Sequence, residues 1–248
     1  MKIIADIHTH TVLSGHAYST VLENARGARE NGLEIMAITD HGPAMPGASS
    51  AFYHFPNQVV IPDTVDGIEI LRGTEANILD DEGTLDLPDR VLRDLDIVLA
   101  GLHDVCISQG DREQNTRRLI RVMDSGRVDV ITHPGNPYFP VHVDRVVEAA
   151  ARTGVLLEIN NTSLRGDVRP GSDIICLEIA RTVLEAGLPV VLGSDAHWYQ
   201  DVGRLDRALA LARNAGFSRE RILNCSARGL RTFVKDCKRR RFERLHGS

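Results

Sequence analysis

Seven short apolar segments recur along the chain, and their spacing restricts the fold more than any other feature does. They cover residues 3–7, 33–38, 68–72, 95–101, 127–132, 154–159 and 189–193. Each is rich in Ile, Val and Leu, as is typical of strands that are covered on both faces of a parallel sheet. The sequence therefore predicts seven buried parallel strands.

Helical patterns separate these segments. Thr20 and Glu23 have the spacing of a capping box, ahead of a helix that Gly32 can end in the left-handed conformation. Further helices are predicted over residues 112–124, 143–152, 173–186 and 203–215, and Gly126, Gly154, Gly187 and Gly216 follow them. Alternating strands and helices predict an α/β fold, either an open doubly wound sheet or a closed barrel.

Three segments interrupt this alternation. Residues 42–67 are rich in Pro and Gly and too long for a simple connection, which favours a lid or a binding loop. Residues 77–87 predict a small hairpin with Gly83 at its tip. The basic segment 235–248 also contains acidic residues, so we interpret it as a solvated helix end. No linker divides the chain, and a single domain over residues 1–248 is expected.

Composition restricts the partners of the protein. The net charge of −5 provides no general field for nucleic acid or an anionic membrane. No apolar stretch approaches the roughly 20 residues of a membrane span, and the first residues lack the apolar core of a signal peptide. The four cysteines are scattered, as is common for reduced thiols. We expect a cytoplasmic protein without a membrane partner or a long nucleic-acid partner.

Histidines and carboxylates follow the ends of the predicted strands. The residues in these positions, with one in the loop after the first strand, are His8, His10, His16, Asp40, His41, Glu75, His103, His133, Asp195 and His197. The carboxyl ends of the strands in an α/β barrel meet on one face, where catalytic residues collect. His54, His142 and His246 do not follow strand ends and are left out of the predicted site.

The residue types at these strand ends indicate metal binding. His8 and His10 are two residues apart, so in an extended strand their side chains point the same way. Imidazoles and carboxylates without thiolates suit Zn, Mn or Fe. Nine such groups, all those above except Asp40, exceed the needs of one catalytic zinc ion, so more than one ion is implied.

Five residues have open roles at this stage. Asp40 either orients a metal-binding imidazole, through a hydrogen bond on the side away from the metal, or caps the turn that begins the long loop. We favour the orienting role. Arg165 and Arg169 could contact a phosphate, although solvation at the surface is the favoured interpretation. The aromatic side chains of Trp198 and Tyr199 could stack on a ring of the substrate or pack within the protein.

The motifs HTH, TDHG, TEANI, GLH, THPGNP, LEINN and GSDAH occur in this order along the chain. With them the sequence resembles the PHP domain phosphoesterases, particularly the small stand-alone bacterial phosphatases of the YcdX type. The resemblance implies a distorted (β/α)7 barrel, similar to a TIM barrel, with three divalent metal ions, usually zinc. By position, the first ion would take His8, His10, Glu75 and Asp195, the second Glu75, His103 and His133, and the third His16, His41 and His197.

The same resemblance implies hydrolysis of a small phosphate monoester by a hydroxide that bridges metal ions. It also implies a homo-oligomer, since some relatives are trimers. Three alternatives stay open: a phosphodiesterase or nucleotide-directed hydrolase, an amidohydrolase, and a non-catalytic metal-binding module. Amidohydrolases often bridge their metals with a carboxylated lysine, whereas this chain has only Lys2, Lys235 and Lys238, all outside the predicted barrel interior.

Overall fold

The computed structural model describes residues 1–246 and contains all seven predicted strands. The strands are Ala5–Asp6 (β1), Ile35–Ile38 (β2), Thr64–Val65 (β3), Ile68–Asn77 (β4), Ile97–Gly101 (β5), Val130–Ile131 (β6), Leu156–Asn160 (β7) and Val191–Gly193 (β8). All pair in parallel and in chain order except β3, an added antiparallel strand beside β4. The sheet nearly closes on itself, which confirms the barrel and excludes the open sheet.

Helices separate the strands as predicted. They are Val21–Glu30 (α1), His54–Asn57 (α2), Asp89–Leu92 (α3), Arg112–Asp124 (α4), Val143–Thr153 (α5), Ser172–Glu185 (α6), Asp206–Ala215 (α7) and Ala227–His246 (α8). Thr20 and Glu23 form the predicted capping box of α1. Gly154 and Gly216 end α5 and α7 with φ of 73° and 103°. Among these helices of residues 1–246, none is both long enough and apolar enough to cross a membrane.

Two layers of apolar side chains hold the barrel together. Inside it, residues from the starts of the strands, such as Ile35 and Ile97, pack with Leu230 and Val234 of α8. The C-terminal helix therefore covers the end of the barrel at which the strands begin. A larger cluster lies between the strands and the surrounding helices. The opposite end, where the strands finish, is left to the polar groups of the predicted site.

The structure corrects two sequence-based expectations for the middle of the chain. β4 continues to Asn77, so Glu75 lies within a strand and not beyond its end. Segment 42–67 is not a plain loop, because it contains α2 and β3. The hairpin over residues 77–87 is confirmed: Leu79 N–H donates to Thr84 O at 2.9 Å, and Ile78 pairs with Leu85.

The basic C-terminal segment is only partly solvated. Arg239 is exposed, but Arg241 is 1% exposed and forms an ion pair with the buried Asp129. The same guanidinium donates to the carbonyl oxygens of Leu92 at 2.9 Å and Leu95 at 2.5 Å. The interpretation as a solvated helix end is therefore wrong for Arg241, which fastens α8 to the barrel.

The seam between β1 and β8 is closed by side chains, chiefly that of Asn224, and by main-chain bonds beyond the strands. Asn224 Nδ2 donates to Ala5 O at 3.0 Å and to Leu192 O at 2.8 Å, while Asn224 Oδ1 accepts from Leu192 N at 2.7 Å. Further along, Asp195 N donates to His8 O at 3.0 Å. The buried Asn224 thus replaces the strand pairing that would complete the barrel.

We expect Asn224→Ala to lower the free energy of unfolding by about 3 kcal/mol, because buried backbone groups on both sides of the seam lose their hydrogen-bond partners. Urea unfolding of the metal-free protein measures this. The matched control is Asn214→Ala, an exposed position on α7, which should change stability by no more than about 0.5 kcal/mol. Equal unfolding midpoints for the two variants would show that the seam does not depend on Asn224.

Candidate metal centre

The nine predicted metal ligands converge at the carboxyl end of the barrel. Seven of them are buried, His197 is half-buried and His16 is exposed. They come from β4 and from the segments that follow β1, β2, β5, β6 and β8. Because the strands are parallel and in chain order, side chains up to 189 positions apart in sequence share this end. The structure thus brings the nine residues together at one end of the barrel, as expected from their positions at the predicted strand ends.

The carboxylate of Glu75 lies at the centre of the cluster. Its Oε2 is 3.2 Å from His8 Nε2 and 3.0 Å from His41 Nδ1. Its Oε1 is 2.9 Å from His133 Nε2 and 3.3 Å from His103 Nε2. Each oxygen therefore faces at least two imidazoles, so the carboxylate is placed where it could bridge two ions.

Asp195 adds a second carboxylate beside the first two histidines. Its Oδ1 is 3.3 Å from His10 Nε2 and 3.7 Å from His8 Nε2. Asp195 and His133 both have positive φ, 57° and 33°. This conformation costs a residue other than glycine about 1–3 kcal/mol, and such residues often cluster at functional sites.

Hydrogen bonds on the outside of the cluster fix the protons of His8 and His10. His8 Nδ1 lies 2.7 Å from Glu158 Oε1, an oxygen that can only accept. His10 Nδ1 lies 3.0 Å from Ser14 Oγ, whose own hydrogen goes to Asp40. Both Nδ1 atoms therefore donate, and each Nε2 keeps a lone pair. The two Nε2 atoms are nevertheless 3.1 Å apart, so neutral rings need positive charge between them, from a proton or from a metal ion.

The same arrangement occurs at the mouth of the site. His16 Nδ1 is 3.2 Å from Ser14 O, and His197 Nδ1 is 3.0 Å from Asp195 O. Carbonyl oxygens only accept, so both Nδ1 atoms donate. The two Nε2 atoms, again left with lone pairs, are 2.9 Å apart. Imidazoles that bind a metal ion usually donate their other ring N–H to an outer acceptor, which fixes the tautomer. Both pairs of histidines have this arrangement.

Electrostatics also favour a cation at the centre. Burial raises the pKa of Glu75, but His8, His103 and His41 outweigh it and hold that pKa well below its usual range. Burial lowers the pKa of His10 to about 4. Burial also opposes protonation of His8, yet Glu158, Glu75 and Asp195 raise its pKa well above the usual value. The carboxylates around His8 thus favour positive charge at this position.

Several buried atoms of the cluster have no hydrogen-bond partner within residues 1–246. They are Glu75 Oε2, His41 Nδ1 and both ring nitrogens of His103. An unpaired buried polar atom costs about 1–3 kcal/mol. Three overlapping groups bring potential ligand atoms within 4.8 Å of one another: His8, His10 and Glu75; His41, Glu75 and His103; and His10, His41 and His197. The residues therefore fit divalent metal ions.

Several supporting residues were missed by the sequence-based prediction. Glu158, in the middle of β7, accepts from His8 and also from His133 N at 2.8 Å. Thr132 Oγ1 donates to Glu75 Oε1 at 2.6 Å. A Cβ at Gly193 would overlap the Glu158 carboxylate, so glycine is required there. The available signal was a carboxylate within the otherwise apolar segment 154–159.

Asp40 lies behind the cluster and does not face the cavity. Its Oδ1 accepts from Thr11 N at 2.6 Å and Ser14 Oγ at 2.7 Å, and its Oδ2 accepts from Thr11 Oγ1 at 2.8 Å and His54 Nε2 at 3.0 Å. It therefore reaches the imidazole of His10 only through Ser14. None of these donors comes from the turn directly after His41, where the alternative interpretation placed a cap.

A cavity of about 380 Å³ opens onto the metal-ligand cluster. Besides ligand residues, it is lined by Met45, Pro46, Asp104, Val105 and Arg169. Arg169 Nη1 is 3.3 Å from Asp195 Oδ2, and only 17% of its side chain is exposed. The interpretation of Arg169 as a solvated surface residue is therefore wrong. It holds for Arg165, which is 47% exposed and pairs with Asp167.

Comparison with known proteins agrees with the motifs and the geometry. The family model described as PHP domain matches residues 6–162, more than half of the chain. The chain belongs to the PHP domain family. Relatives of this PHP protein include a probable phosphatase of Thermoanaerobacter sp. (strain X514), 46% identical over 241 residues and covering 97% of this chain and 98% of that protein. A probable phosphatase of Shewanella sediminis (strain HAW-EB3) is 47% identical over 234 residues, which is 94% of each chain.

The fold of this PHP protein is also found in a solved structure. Histidinol phosphate phosphatase from Lactococcus lactis subsp. lactis Il1403, in complex with Zn, L-histidinol and phosphate, matches with a TM-score of 0.61. The alignment covers 87% of this chain and 94% of that chain at 19% identity. The comparison confirms the α/β barrel, and the predicted family is confirmed by the relatives of higher identity.

We expect Glu75→Ala to lose most of its bound metal, because each carboxylate oxygen of Glu75 faces two imidazoles. Elemental analysis of the purified proteins gives the number of metal ions per chain. The matched control is Glu69→Ala on the same strand, where the carboxylate pairs with Arg231 at the surface. This variant should keep the wild-type metal content. A full metal complement in Glu75→Ala would rule out the bridging position.

Proposed function

We propose that this PHP protein is a metal-dependent phosphatase that hydrolyses phosphate monoesters at a site for three divalent ions, with zinc as the favoured metal. The observation that carries the proposal is the pair of close contacts between imidazole nitrogens, both of which hold lone pairs when the rings are neutral. The residues proposed to hold the ions are His8, His10, Glu75 and Asp195 for the first, Glu75, His103 and His133 for the second, and His16, His41 and His197 for the third.

The chemistry proposed for this site follows from its charge. Divalent ions there would make a water molecule acidic enough to supply hydroxide near neutral pH and would offset the negative charge of a phosphate ester. Glu75 and Asp195 contribute two negative charges, so three divalent ions would leave a net local charge of about +4. An anionic substrate could then bind a protein whose overall charge is −5.

The cavity supports a small substrate. Its volume of about 380 Å³ suits a phosphorylated metabolite, and its wall combines the apolar Met45 and Val105 with the cation of Arg169. We propose that Arg169 binds phosphate oxygens, because its guanidinium is held beside Asp195 and lines the cavity. A planar guanidinium can donate two parallel hydrogen bonds to a phosphate.

The alternative functions have less support. At the bridging position an amidohydrolase often has a carboxylated lysine, whereas here Glu75 faces the imidazoles. Lys2 and Lys238 lie on the outside, paired with Glu34 and Asp96. The cavity with a guanidinium at its wall also favours a catalytic site over a module that only stores metal. We propose a cytoplasmic enzyme whose partner is its small substrate.

Hydrolysis of an aryl phosphate monoester should depend on bound metal. Dialysis against a chelator is expected to abolish the activity, and added Zn²⁺ or Mn²⁺ should restore it, because the ligands remain in place without metal. Release of the coloured phenol measures the rate. A bis-aryl phosphodiester and a lactam serve as comparison substrates. Undiminished monoester hydrolysis after metal removal, or faster turnover of either comparison substrate, would contradict the proposal.

Arg169→Met should lower kcat/KM for the monoester by about 100-fold, as expected for a lost charged donor to the reacting phosphate. Steady-state kinetics with the aryl phosphate provide the measurement. Arg165→Met is the matched control, because it removes an arginine from the same loop whose side chain is exposed and pairs with Asp167. If both variants kept the wild-type kcat/KM, Arg169 would have no role in binding phosphate.

A further inference from the structure

His54 is a histidine outside the ligand set that nonetheless contacts the support of the metal centre. It lies at the start of α2, in segment 42–67. Its Nε2 is 3.0 Å from Asp40 Oδ2, and only 9% of its side chain is exposed. The ring also packs edge-on against Phe55, with centroids 4.7 Å apart. His54 is therefore held in place on two sides.

Asp40 connects His54 to the loop after β1. Its carboxylate is fully buried and accepts hydrogen bonds from Thr11 N, Thr11 Oγ1, Ser14 Oγ and His54 Nε2. Two groups therefore bind each oxygen, so the orientation of the carboxylate is fixed. Of these four donors, His54 is the one that comes from segment 42–67.

Ser14 carries this constraint from Asp40 to a metal ligand. Its hydroxyl donates to Asp40 Oδ1 and accepts from His41 N at 3.1 Å and His10 Nδ1 at 3.0 Å. One hydrogen and two lone pairs are all that a hydroxyl has to offer. The hydroxyl cannot rotate without losing a bond, and it leaves only the donor role to His10 Nδ1.

We propose that His54 is a positioning residue for His10, acting through Asp40 and Ser14. The donor from His54 completes the set that holds the Asp40 carboxylate, which turns the Ser14 hydroxyl so that His10 presents the lone pair of Nε2 to the metal. This inference rests on the proposed function of the site. Segment 42–67 also supplies Met45 and Pro46 to the cavity wall, so the segment that carries His54 takes part in the wall as well.

The experiment compares two substitutions that separate the hydrogen bond from ring packing. His54→Phe keeps a ring against Phe55 but removes the donor, whereas His54→Gln restores an N–H donor without the ring. We expect His54→Phe to weaken Zn²⁺ binding about tenfold, in line with the loss of an outer partner of a metal ligand. His54→Gln should stay close to wild type. Competition with a coloured zinc chelator measures the affinity.

A background substitution tests the route through Ser14. In Ser14→Ala the connection to His10 is already broken, so adding His54→Phe should cause little further loss of Zn²⁺ affinity. His142→Phe is the matched control, since that histidine lies on the outer surface with 45% of its side chain exposed. It should leave Zn²⁺ affinity and turnover unchanged.

The results distinguish positioning from a merely structural role. If His54→Phe lowered the Tm of the metal-free protein but left Zn²⁺ affinity unchanged, or if His54→Gln lost as much affinity as His54→Phe, the proposal would be overturned. The proposal would also be overturned if the losses of Zn²⁺ affinity caused by His54→Phe and Ser14→Ala added up fully in the double variant. His54→Leu replaces His54→Phe if the latter does not fold. If the wild-type protein bound Zn²⁺ but did not hydrolyse monoesters, the proposed function would be rejected. The comparison of Zn²⁺ affinities would still decide the role of His54.

Discussion

The protons of four histidines point away from the centre of the site, and the rest of the metal centre depends on this constraint. Glu158, Ser14 and two main-chain carbonyl oxygens occupy the Nδ1 atoms of His8, His10, His16 and His197. The inward-facing nitrogens consequently repel one another unless positive charge lies between them. The barrel holds them together nonetheless, because each is attached to a segment fixed by the parallel sheet.

This arrangement lowers the folding stability of the metal-free protein around the site. Two ligand residues, His133 and Asp195, have left-handed backbone conformations, and several buried nitrogen and oxygen atoms lack hydrogen-bond partners within the part of the chain that the structure describes. Such features lower stability unless something else offsets them. A bound cation would relieve both the lone-pair repulsion and the unpaired atoms, so binding and folding are thermodynamically coupled.

Much of the fold, and the convergence of the nine candidate ligands, could be predicted from sequence because both follow periodic rules. Apolar segments of strand length marked the sheet, and the polar residues at their ends marked the site. Sequence could not reveal contacts that depend on the tertiary fold. Glu158 looked like one charge in an apolar segment, His54 lay in an irregular region, and Arg169 had the composition of a surface loop. Their partners, His8, Asp40 and Asp195, lie 150, 14 and 26 positions away, so no helix or strand spacing could indicate them.

The seam closed by Asn224 also has a consequence for how the protein is made. His8 and His10 leave the ribosome before Asp195 and His197, which follow almost 190 residues later. Parallel strands in chain order can add one by one to the growing sheet, but the seam can close only after the residues that follow β8 have emerged. A nascent chain therefore carries His8 and His10 without Asp195 and His197 while the intervening strands are made.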